Sequence, residues 1–318
     1  MIEITSLEDC HFTEGDETVV ALGFFDGVHR AHRLVISTCL HKARVRNGKA
    51  VVFTFQNHPT SVLSPQSAIR LLTPYPLKTM HLQSLGIDVL LAPPFNDQIR
   101  HSQPEQFIQT FLVDVLRAKE LVVGYDFRFG MNRAGTLNLL QNQVPHRFEA
   151  ITVIDQQCYQ GYSISSTNIR HFVQQGDMET ANQLLGHPFQ VYGQVTPGQG
   201  RGRTIGIPTA NLATGQQILP PNGVYGVQAR IDTLASQPIW GVMNIGHVPT
   251  FRDNQSIHIE VHLFDFAQDI YDRHLIVDVL HPIREERRFS SPQELIAQIH
   301  ADIHHFHEWI QVNGQSSL

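Results

Sequence analysis

Two histidines three residues apart, His29 and His32, stand where a short apolar segment gives way to a helical pattern. The apolar segment, residues 18–24 (TVVALGF), predicts a buried strand, and the start of the following helix offers N–H groups and a positive dipole end to an anion. Imidazole N–H groups at such a corner can donate to phosphate oxygens and stabilise charge as a phosphoryl bond breaks. A chance pair in a chain with 19 histidines is the alternative interpretation.

Three further polar segments are predicted to lie near His29. Residues 53–59 and 124–130 each end a predicted strand, and residues 164–170 open a late helix. Because the carboxyl ends of parallel strands meet at one edge of a sheet, we expect these segments to gather there. The Ser-Ser-Thr run followed by Arg170 predicts a second anion site with hydroxyl, backbone and guanidinium donors.

A glycine- and arginine-rich segment, residues 198–211 (GQGRGRTIGIPTAN), dominates the second half of the chain. Its glycines let backbone N–H groups converge on an anion, although the segment lacks the Lys-Ser/Thr ending of a Walker P-loop. Thr209 and Asn211 would share a face of an extended segment, where a hydroxyl and an amide oxygen suit a hard cation such as Mg²⁺. A flexible surface loop is the alternative interpretation.

Glu260 is an acidic residue within an apolar strand pattern, residues 256–265 (SIHIEVHLFD). Strand alternation places His258, Glu260 and His262 on one face. We expect this face to border the same mouth as Thr209, where a carboxylate can act as general base for a substrate hydroxyl.

The element pattern predicts two domains, 1–185 and 186–318, in line with roughly 150 residues per domain. Alternating strands and helices predict an α/β Rossmann-like first domain, including one helix over residues 103–116. After about residue 186, short strands and turns rich in Gly, Pro and Asn predict a small antiparallel β-barrel. A capping box at Ser291 opens a C-terminal helix. The predicted barrel strands are residues 190–195, 224–231, 239–244, 257–266 and 274–280.

Composition excludes several other classes of protein. The net charge of −6 argues against a nucleic-acid partner, and three widely spaced cysteines argue against a disulfide scaffold or a cysteine zinc site. We see no signal peptide and no membrane span, so we expect a cytoplasmic protein with small-molecule substrates and no membrane partner. The composition does not indicate the oligomeric state. His300, His304 and His307 have metal-ligand spacing, but a solvated helix face is the preferred interpretation.

The motifs of the first half resemble the adenylyltransferase module of the bifunctional bacterial riboflavin kinase/FAD synthetase family. The family patterns GxFDGVHxGH, GxDFRFG and ISSTxIR occur in order at residues 23–32, 124–130 and 164–170. The resemblance implies a nucleotidylyltransferase that transfers AMP from ATP to FMN, with magnesium helping. It assigns ATP or phosphate contacts to Gly23, Phe25, Asp126, Ser165 and Thr167, catalytic roles to His29, His32 and Arg170, and a flavin contact to His58.

One residue departs from the first of these patterns. Ala31 stands where the family pattern has Gly, directly before the second histidine. Glycine at such a position permits close approach of backbone and ligand. The methyl group of Ala31 is therefore expected to weaken the use of ATP by the first domain.

The motifs of the second half resemble the riboflavin kinase barrel. The patterns are GxGRGRTxGxPTAN, GVYxV at residues 223–227, GVxNIGxxPTF from residue 241, and ExHLxDF at residues 260–266. The resemblance implies phosphorylation of the riboflavin 5′-hydroxyl by ATP, with Glu260 as base and with Thr209 and Asn211 holding Mg²⁺. It assigns phosphate contacts to Gly200, Arg201, Gly202 and Arg203, and flavin contacts to Asn244 and Arg284.

The leading hypothesis is an enzyme that makes FMN from riboflavin and then FAD from FMN. One alternative is a riboflavin kinase whose first domain has weakened or lost transfer activity through Ala31. A second is a flavin-sensing regulator, which would not need the base Glu260. A third is a nucleotidylyltransferase for another phosphate ester, such as pantetheine phosphate.

Overall fold

The computed structural model describes residues 1–13, 15–63, 66, 69–143, 146–198, 202, 206–248 and 256–313. The chain divides into two compact units. The first unit consists of Met1–Arg70 and Tyr75–Ser165, and the second of Leu71–Pro74 and Ser166–Leu318.

The first unit contains a six-stranded parallel sheet with the strand order β1-β4-β3-β2-β5-β6. Every residue of the central strand β2 is buried, as expected of a parallel sheet covered on both faces. This arrangement confirms the predicted α/β fold. The strands of the sheet are β1 (Ile2–Ile4), β2 (Thr18–Leu22), β3 (Lys49–Phe53), β4 (Val89–Leu91), β5 (Ala118–Gly124) and β6 (Ala150–Ile154), and a separate hairpin consists of β7 (Cys158–Tyr159) and β8 (Tyr162–Ser163).

Helices cover the two faces of this sheet. They are α1 (Arg30–Val45), α2 (Pro59–Leu63), α3 (Tyr75–Ser84), α4 (Asp97–Arg100), α5 (Pro104–Phe107) and α6 (Leu137–Gln141). The helix predicted over residues 103–116 is present but changes type, because α5 continues as a π-helix over Ile108–Val115. The wider turns still direct Ile108, Phe111 and Leu112 into the apolar core beneath the sheet.

The second unit is a closed six-stranded antiparallel barrel with the order β10-β13-β12-β11-β14-β9. The barrel confirms the predicted fold, and the sequence missed one strand, β10, which has only four residues. The elements of this unit are α7 (Ser166–Gln175), α8 (Met178–Leu185), β9 (Phe189–Thr196), β10 (Ala210–Ala213), β11 (Gly223–Ile231), β12 (Ile239–Val248), β13 (Ser256–Leu263), β14 (His274–Glu285) and α9 (Pro292–Asn313).

The C-terminal helix α9 packs on the outside of the barrel through Phe306, which contacts Val224 and Val242 in one apolar cluster. At its start, Ser291 Oγ accepts the N–H of Glu294 at 3.2 Å, as the capping box predicts. The Glu294 carboxylate, however, accepts hydrogen bonds from the N–H and hydroxyl of Ser290, one residue before the expected partner.

Helices α7 and α8 belong to the second unit, although the predicted domain boundary lies after them. The Asn182 side chain of α8 donates to the Val279 carbonyl at 3.1 Å and accepts the N–H of Phe189 at 2.6 Å. Helix α8 packs against β9 and β14, and its residues Met178 and Leu184 are buried. The domain boundary at 185/186 therefore remains a prediction. It can be tested by comparing fragments of the second unit with and without α8.

We expect a fragment of residues 166–318 to be more stable than a fragment of residues 186–318. Removing α8 exposes the apolar surface that it covers on the barrel, and each buried Leu or Met side chain is worth about 1.5–3 kcal/mol. Urea unfolding of both fragments, followed by circular dichroism, measures the difference. Equal unfolding midpoints would place the functional boundary where the sequence predicts it.

Candidate active sites

The turn between β2 and α1 has an unusual backbone. Phe25, Gly27 and Val28 have φ values of 56°, 88° and 39°, which for a β-branched residue such as Val28 is rare. Residues in such conformations cluster at ligand sites, where the surrounding structure holds them. Here the side chains of Phe25 and Val28 are buried. A Cβ at Gly23 would lie 2.9 Å from the Phe25 ring, so Gly23 makes room for that ring.

His29 is the N-cap of α1, and its Nδ1 accepts the backbone N–H of His32 at 3.3 Å. Because Nδ1 is the acceptor, the neutral imidazole of His29 carries its proton on Nε2. The rings of His29 and His32 stack with centroids 3.4 Å apart. The sequence thus correctly predicts that the two histidines lie together at the helix start.

The His32 imidazole is held in its neutral form. Burial lowers the pKa of His32 well below its usual value, and the positive charges of His29 and Lys78 lower it further. His32 Nδ1 is buried, and no described residue offers it a hydrogen-bond partner. At neutral pH the pair can therefore donate to a phosphate without carrying two adjacent positive charges.

His58 follows β3 at the same end of the sheet. Its Nδ1 accepts from the N–H of Thr60 at 3.1 Å and lies 2.6 Å from the Thr60 hydroxyl, so the neutral ring carries its proton on Nε2. The His58 ring packs edge-on against Phe24 at 4.5 Å. Partly buried aromatic side chains nearby offer flat apolar surface, and they include Phe55 and Phe95, whose rings are 5.2 Å apart.

The remaining predicted residues of the first site lie at strand and helix ends. Asp126 is exposed directly after β5, and Ser165 is the last residue of the first unit. Thr167 and Arg170 lie in α7, at the start of the second unit. Their grouping around one phosphate site remains a prediction.

In the second unit, strand pairing brings several predicted residues into one row on the outside of the barrel. Asn211 is paired with Glu260, Glu260 with Asn244, Asn244 with Val224, and Val224 with Arg284. We call these five residues the outer row. Directly paired residues have Cβ atoms about 4.5–5.5 Å apart, so neighbouring side chains of the row are within reach of one another.

The strand alternation predicted for β13 is confirmed. Ile259, Val261 and Leu263 are buried, whereas His258, Glu260 and His262 are partly exposed.

Two of the described glycines of the Gly/Arg segment, Gly198 and Gly202, lie close to predicted metal ligands. A Cβ at Gly198 would be 2.0 Å from Asn211 Nδ2, and a Cβ at Gly202 would be 3.2 Å from Thr209 Oγ1. The absence of side chains therefore lets this segment approach Thr209 and Asn211 closely. Gly200, Arg201 and Arg203 lie outside the described residues.

His262 holds the backbone directly before Thr209, because its Nδ1 donates to the carbonyl of Pro208 at 2.8 Å. Beside Thr209 is a cavity of about 290 Å³, whose lining includes Val195, Leu263 and Tyr271. The cavity opens next to the hydroxyl that the sequence assigns to a metal ion.

Two family models match the chain. One, described as FAD synthetase, matches residues 12–168, and the other, described as riboflavin kinase, matches residues 185–310. Curated proteins named bifunctional riboflavin kinase/FMN adenylyltransferase also match. The protein from Listeria monocytogenes is 37% identical over 286 residues, which cover 89% of this chain and 90% of that protein. The protein from Escherichia coli is 39% identical over 284 residues, which cover 89% of this chain and 90% of that protein.

The chain belongs to the bifunctional riboflavin kinase/FMN adenylyltransferase family. A crystal structure described as a macrolide-efflux protein from Streptococcus pneumoniae also matches, with a TM-score of 0.84 and 31% identity over 97% of this chain and 99% of that one. Efflux is part of the name of the Streptococcus pneumoniae protein and is not carried over to this chain. Among the described residues of this family member, no helix is long and apolar enough to cross a membrane.

Arg284, which is predicted to contact flavin, forms a salt bridge within the protein. Its guanidinium forms a salt bridge with the buried Asp302 of α9, with Nε 2.9 Å from Oδ1 and 3.0 Å from Oδ2. In this riboflavin kinase domain, Arg284 therefore anchors α9 beside the outer row. A contact with flavin remains a prediction.

The three histidines of α9 with metal-ligand spacing lie on the exposed side of the helix. His300, His304 and His307 are exposed, and the His307 ring stacks on Phe264 at 4.7 Å. Within the part of the chain that the structure describes, no group of three or more His, Cys, Asp or Glu side chains can hold a metal ion.

Two buried charged residues near His32, Asp26 and Lys78, have no role among the predicted site residues. Asp26 lies within the strained turn and is 2% exposed, and Lys78 of α3 is 1% exposed. Asp26 lies inside the GxFDGVHxGH motif, which is a signal that could have drawn attention to it. Lys78 carries no such signal, because its burial depends on the strands against which α3 packs.

Proposed function

We propose that the second unit phosphorylates the 5′-hydroxyl of riboflavin with ATP, and that the first unit transfers AMP from ATP to the resulting FMN. The observation that carries this proposal for the kinase is the pairing of Glu260 with both Asn211 and Asn244 in the outer row. The matches to both halves of the chain do not favour the alternatives of a kinase alone or a flavin sensor.

In the kinase reaction, the Glu260 carboxylate takes the proton of the riboflavin 5′-hydroxyl. The hydroxyl oxygen then attacks the γ-phosphorus of ATP, and ADP leaves. Asn244 pairs with Glu260 in the outer row, and we assign it to orienting the flavin beside the base. The cavity beside Thr209 is near the lower end of the range of about 300–1,000 Å³ for ligand pockets, and we assign it to the adenosine of ATP.

Thr209 and Asn211 fit a magnesium ion. Both supply oxygen donors that suit a hard cation. The backbone at Gly198 and Gly202 approaches these side chains so closely that a Cβ at Gly198 would overlap the Asn211 amide and a Cβ at Gly202 would lie 3.2 Å from Thr209 Oγ1. When bound there, Mg²⁺ would neutralise charge on the phosphate oxygens of ATP. We assign Gly200, Arg201, Gly202 and Arg203 to the same phosphates by family resemblance.

In the adenylyltransferase reaction, a phosphate oxygen of FMN attacks the α-phosphorus of ATP, and pyrophosphate leaves. No nucleophile from the protein is needed, so positioning and charge stabilisation carry the reaction. The Nε2 proton of His29 and the neutral His32 are suited to donate to ATP phosphates. By resemblance, Asp126, Ser165, Thr167 and Arg170 complete the nucleotide contacts, and His58 and its neighbouring aromatic rings hold the flavin.

The decisive experiment for both activities is a flavin separation. We expect FMN to accumulate first and FAD afterwards when the protein is incubated with riboflavin, ATP and Mg²⁺, followed by chromatography. A second incubation with FMN and ATP tests the first unit alone. FAD formation from FMN excludes the kinase-only alternative, and the absence of any conversion supports the sensor.

The substitution Ala31→Gly tests the departure from the family motif. Ala31 is not among the residues with positive φ, so the position does not need the backbone freedom of glycine, and only the methyl group matters. If that methyl crowds ATP, its cost of roughly 1–3 kcal/mol corresponds to about tenfold to a hundredfold in affinity or rate. We therefore expect Ala31→Gly to lower the KM for ATP, or raise the turnover, in FAD formation.

Riboflavin phosphorylation by the same variant is the control and should not change. Glycine within a helix also costs up to about 1 kcal/mol of stability, which a melting curve separates from the effect on ATP. An unchanged KM and an unchanged turnover would show that the site accommodates the methyl group.

A further inference from the structure

Lys78 of α3 is a lysine with 1% of its surface exposed. Burial of an ammonium group is costly unless its donors are satisfied. Here Nζ donates to the carbonyl oxygen of Phe55 at 2.9 Å, to that of Phe24 at 3.1 Å, and to the hydroxyl of Thr54 at 3.3 Å. All three N–H donors of the ammonium therefore have an acceptor.

These acceptors belong to two different turns at the carboxyl end of the sheet. Phe24 follows β2 and begins the turn that leads to His29, whereas Thr54 and Phe55 follow β3 and begin the turn that leads to His58. The Thr54 hydroxyl also donates to the Phe24 carbonyl at 3.0 Å. Lys78 thus joins the turn assigned to ATP with the turn assigned to flavin.

The aromatic contacts of Lys78 strengthen the same connection. Nζ lies 4.1 Å from the centroid of the Phe24 ring, a cation–π distance, and the edge of the His58 ring packs against that ring. Phe24, at the start of the turn that leads to His29, is therefore held through both its carbonyl and its ring.

The charged groups around Lys78 are those of the turn that carries His29 and His32. Burial lowers the pKa of Lys78 to about 7, against the opposing effect of the Asp26 carboxylate. The ionisable groups near Lys78 include Asp26, the stacked pair His29 and His32, and Tyr75, whose ring centroid lies 5.7 Å from Nζ. The positive charge of Lys78 contributes to the low pKa of His32.

We propose that Lys78 is a positioning residue for adenylyl transfer, which holds the ATP turn and the flavin turn at the spacing that brings the FMN phosphate to the α-phosphorus of ATP. The inference rests on the proposed function of the first unit. Lys78 itself touches neither phosphate in this role. A displacement of about 1 Å between reacting groups can cost about a hundredfold in rate, so the spacing of the two turns matters even where each turn still binds its ligand.

The substitution Lys78→Met in the full chain tests this role. Methionine keeps much of the volume and the apolar stem but removes the three donors, so the Phe24 and Phe55 carbonyls lose the ammonium that binds them. We expect the kcat of FAD formation from FMN and ATP to fall roughly tenfold to a hundredfold, with the KM for each substrate unchanged. Riboflavin phosphorylation by the same protein should also remain unchanged.

The matched control is Leu82→Ala on the same helix. Leu82 is fully buried in the apolar cluster that also contains Val52 and Leu90, so its truncation should lower the melting temperature without changing the kcat of FAD formation. An unchanged kcat in Lys78→Met overturns the proposal. Equal losses of kcat in Lys78→Met and Leu82→Ala also overturn it, since the role would then be structural.

A second variant keeps the inference testable if Lys78→Met does not fold. Thr54→Val removes the hydroxyl that joins Lys78 to the Phe24 carbonyl. Like Lys78→Met, it should lower the kcat of FAD formation and leave the KM values unchanged. An unchanged kcat would contradict the proposal that Lys78 and Thr54 hold the two turns together. If the unaltered protein makes FMN but no FAD, the proposed function of the first unit fails, which is distinct from a failure of the Lys78 role.

Discussion

Glu260→Gln is expected to remove nearly all formation of FMN from riboflavin while leaving the conversion of FMN to FAD intact. General-base catalysis contributes about 10²–10⁴-fold, and glutamine cannot accept the proton of the 5′-hydroxyl. The substitution preserves the size and the polar character of the side chain between Asn211 and Asn244, so the strand pairing should persist. Initial rates of FMN and FAD formation, measured on one preparation, give both halves of the result.

The control is Glu308→Gln, which removes an exposed carboxylate from α9 of the same unit. It should leave both rates unchanged, because a solvated carboxylate on that helix has no place in either proposed reaction. Near-normal FMN formation by Glu260→Gln would show that another group accepts the proton. Loss of FMN formation together with a large fall in melting temperature would instead indicate damage to β13.

The second unit shows which parts of a site the sequence can predict. Strand alternation has a period of two, so the face that carries Glu260 follows from the sequence alone, and the structure confirms it. The pairing of Glu260 with Asn211 and Asn244 does not follow from the sequence, because register depends on which strands become neighbours. The short strand β10, which carries Asn211, is stabilised by those neighbours more than by its own four residues.

The first unit shows where single-sequence reasoning stops. The strand and helix order of the sheet could be predicted because apolar segments alternate with helical patterns. Lys78 could not be identified, since a lysine in a helix is usually solvated and its burial follows from the packing of α3 on the strand ends. The pairing of Arg284 with Asp302 was missed for a similar reason, as the two residues meet only when α9 packs on the barrel.

His29 carries two separable functions, which two substitutions can distinguish. Its Nδ1 caps α1 by accepting the N–H of His32, and we assign its Nε2 proton to an ATP phosphate. Asparagine is a good N-cap but is too short to reach the phosphate, whereas glutamine can reach towards it with an amide N–H but caps poorly. His29→Asn should therefore lose activity and keep stability, and His29→Gln should show the opposite balance.

For His29→Asn we expect the kcat of FAD formation to fall about 10²–10³-fold, the usual cost of removing one donor to developing charge, with an unchanged melting temperature. For His29→Gln we expect a smaller loss of kcat and a destabilisation of about 0.5–2 kcal/mol from the lost cap. Riboflavin phosphorylation by the barrel provides an internal control in both variants. The variant that loses more activity should therefore be the one that loses less stability. If instead the variant with the larger loss of kcat is also the less stable one, His29 acts only as the cap of α1. His32 would then be the remaining imidazole donor at this corner.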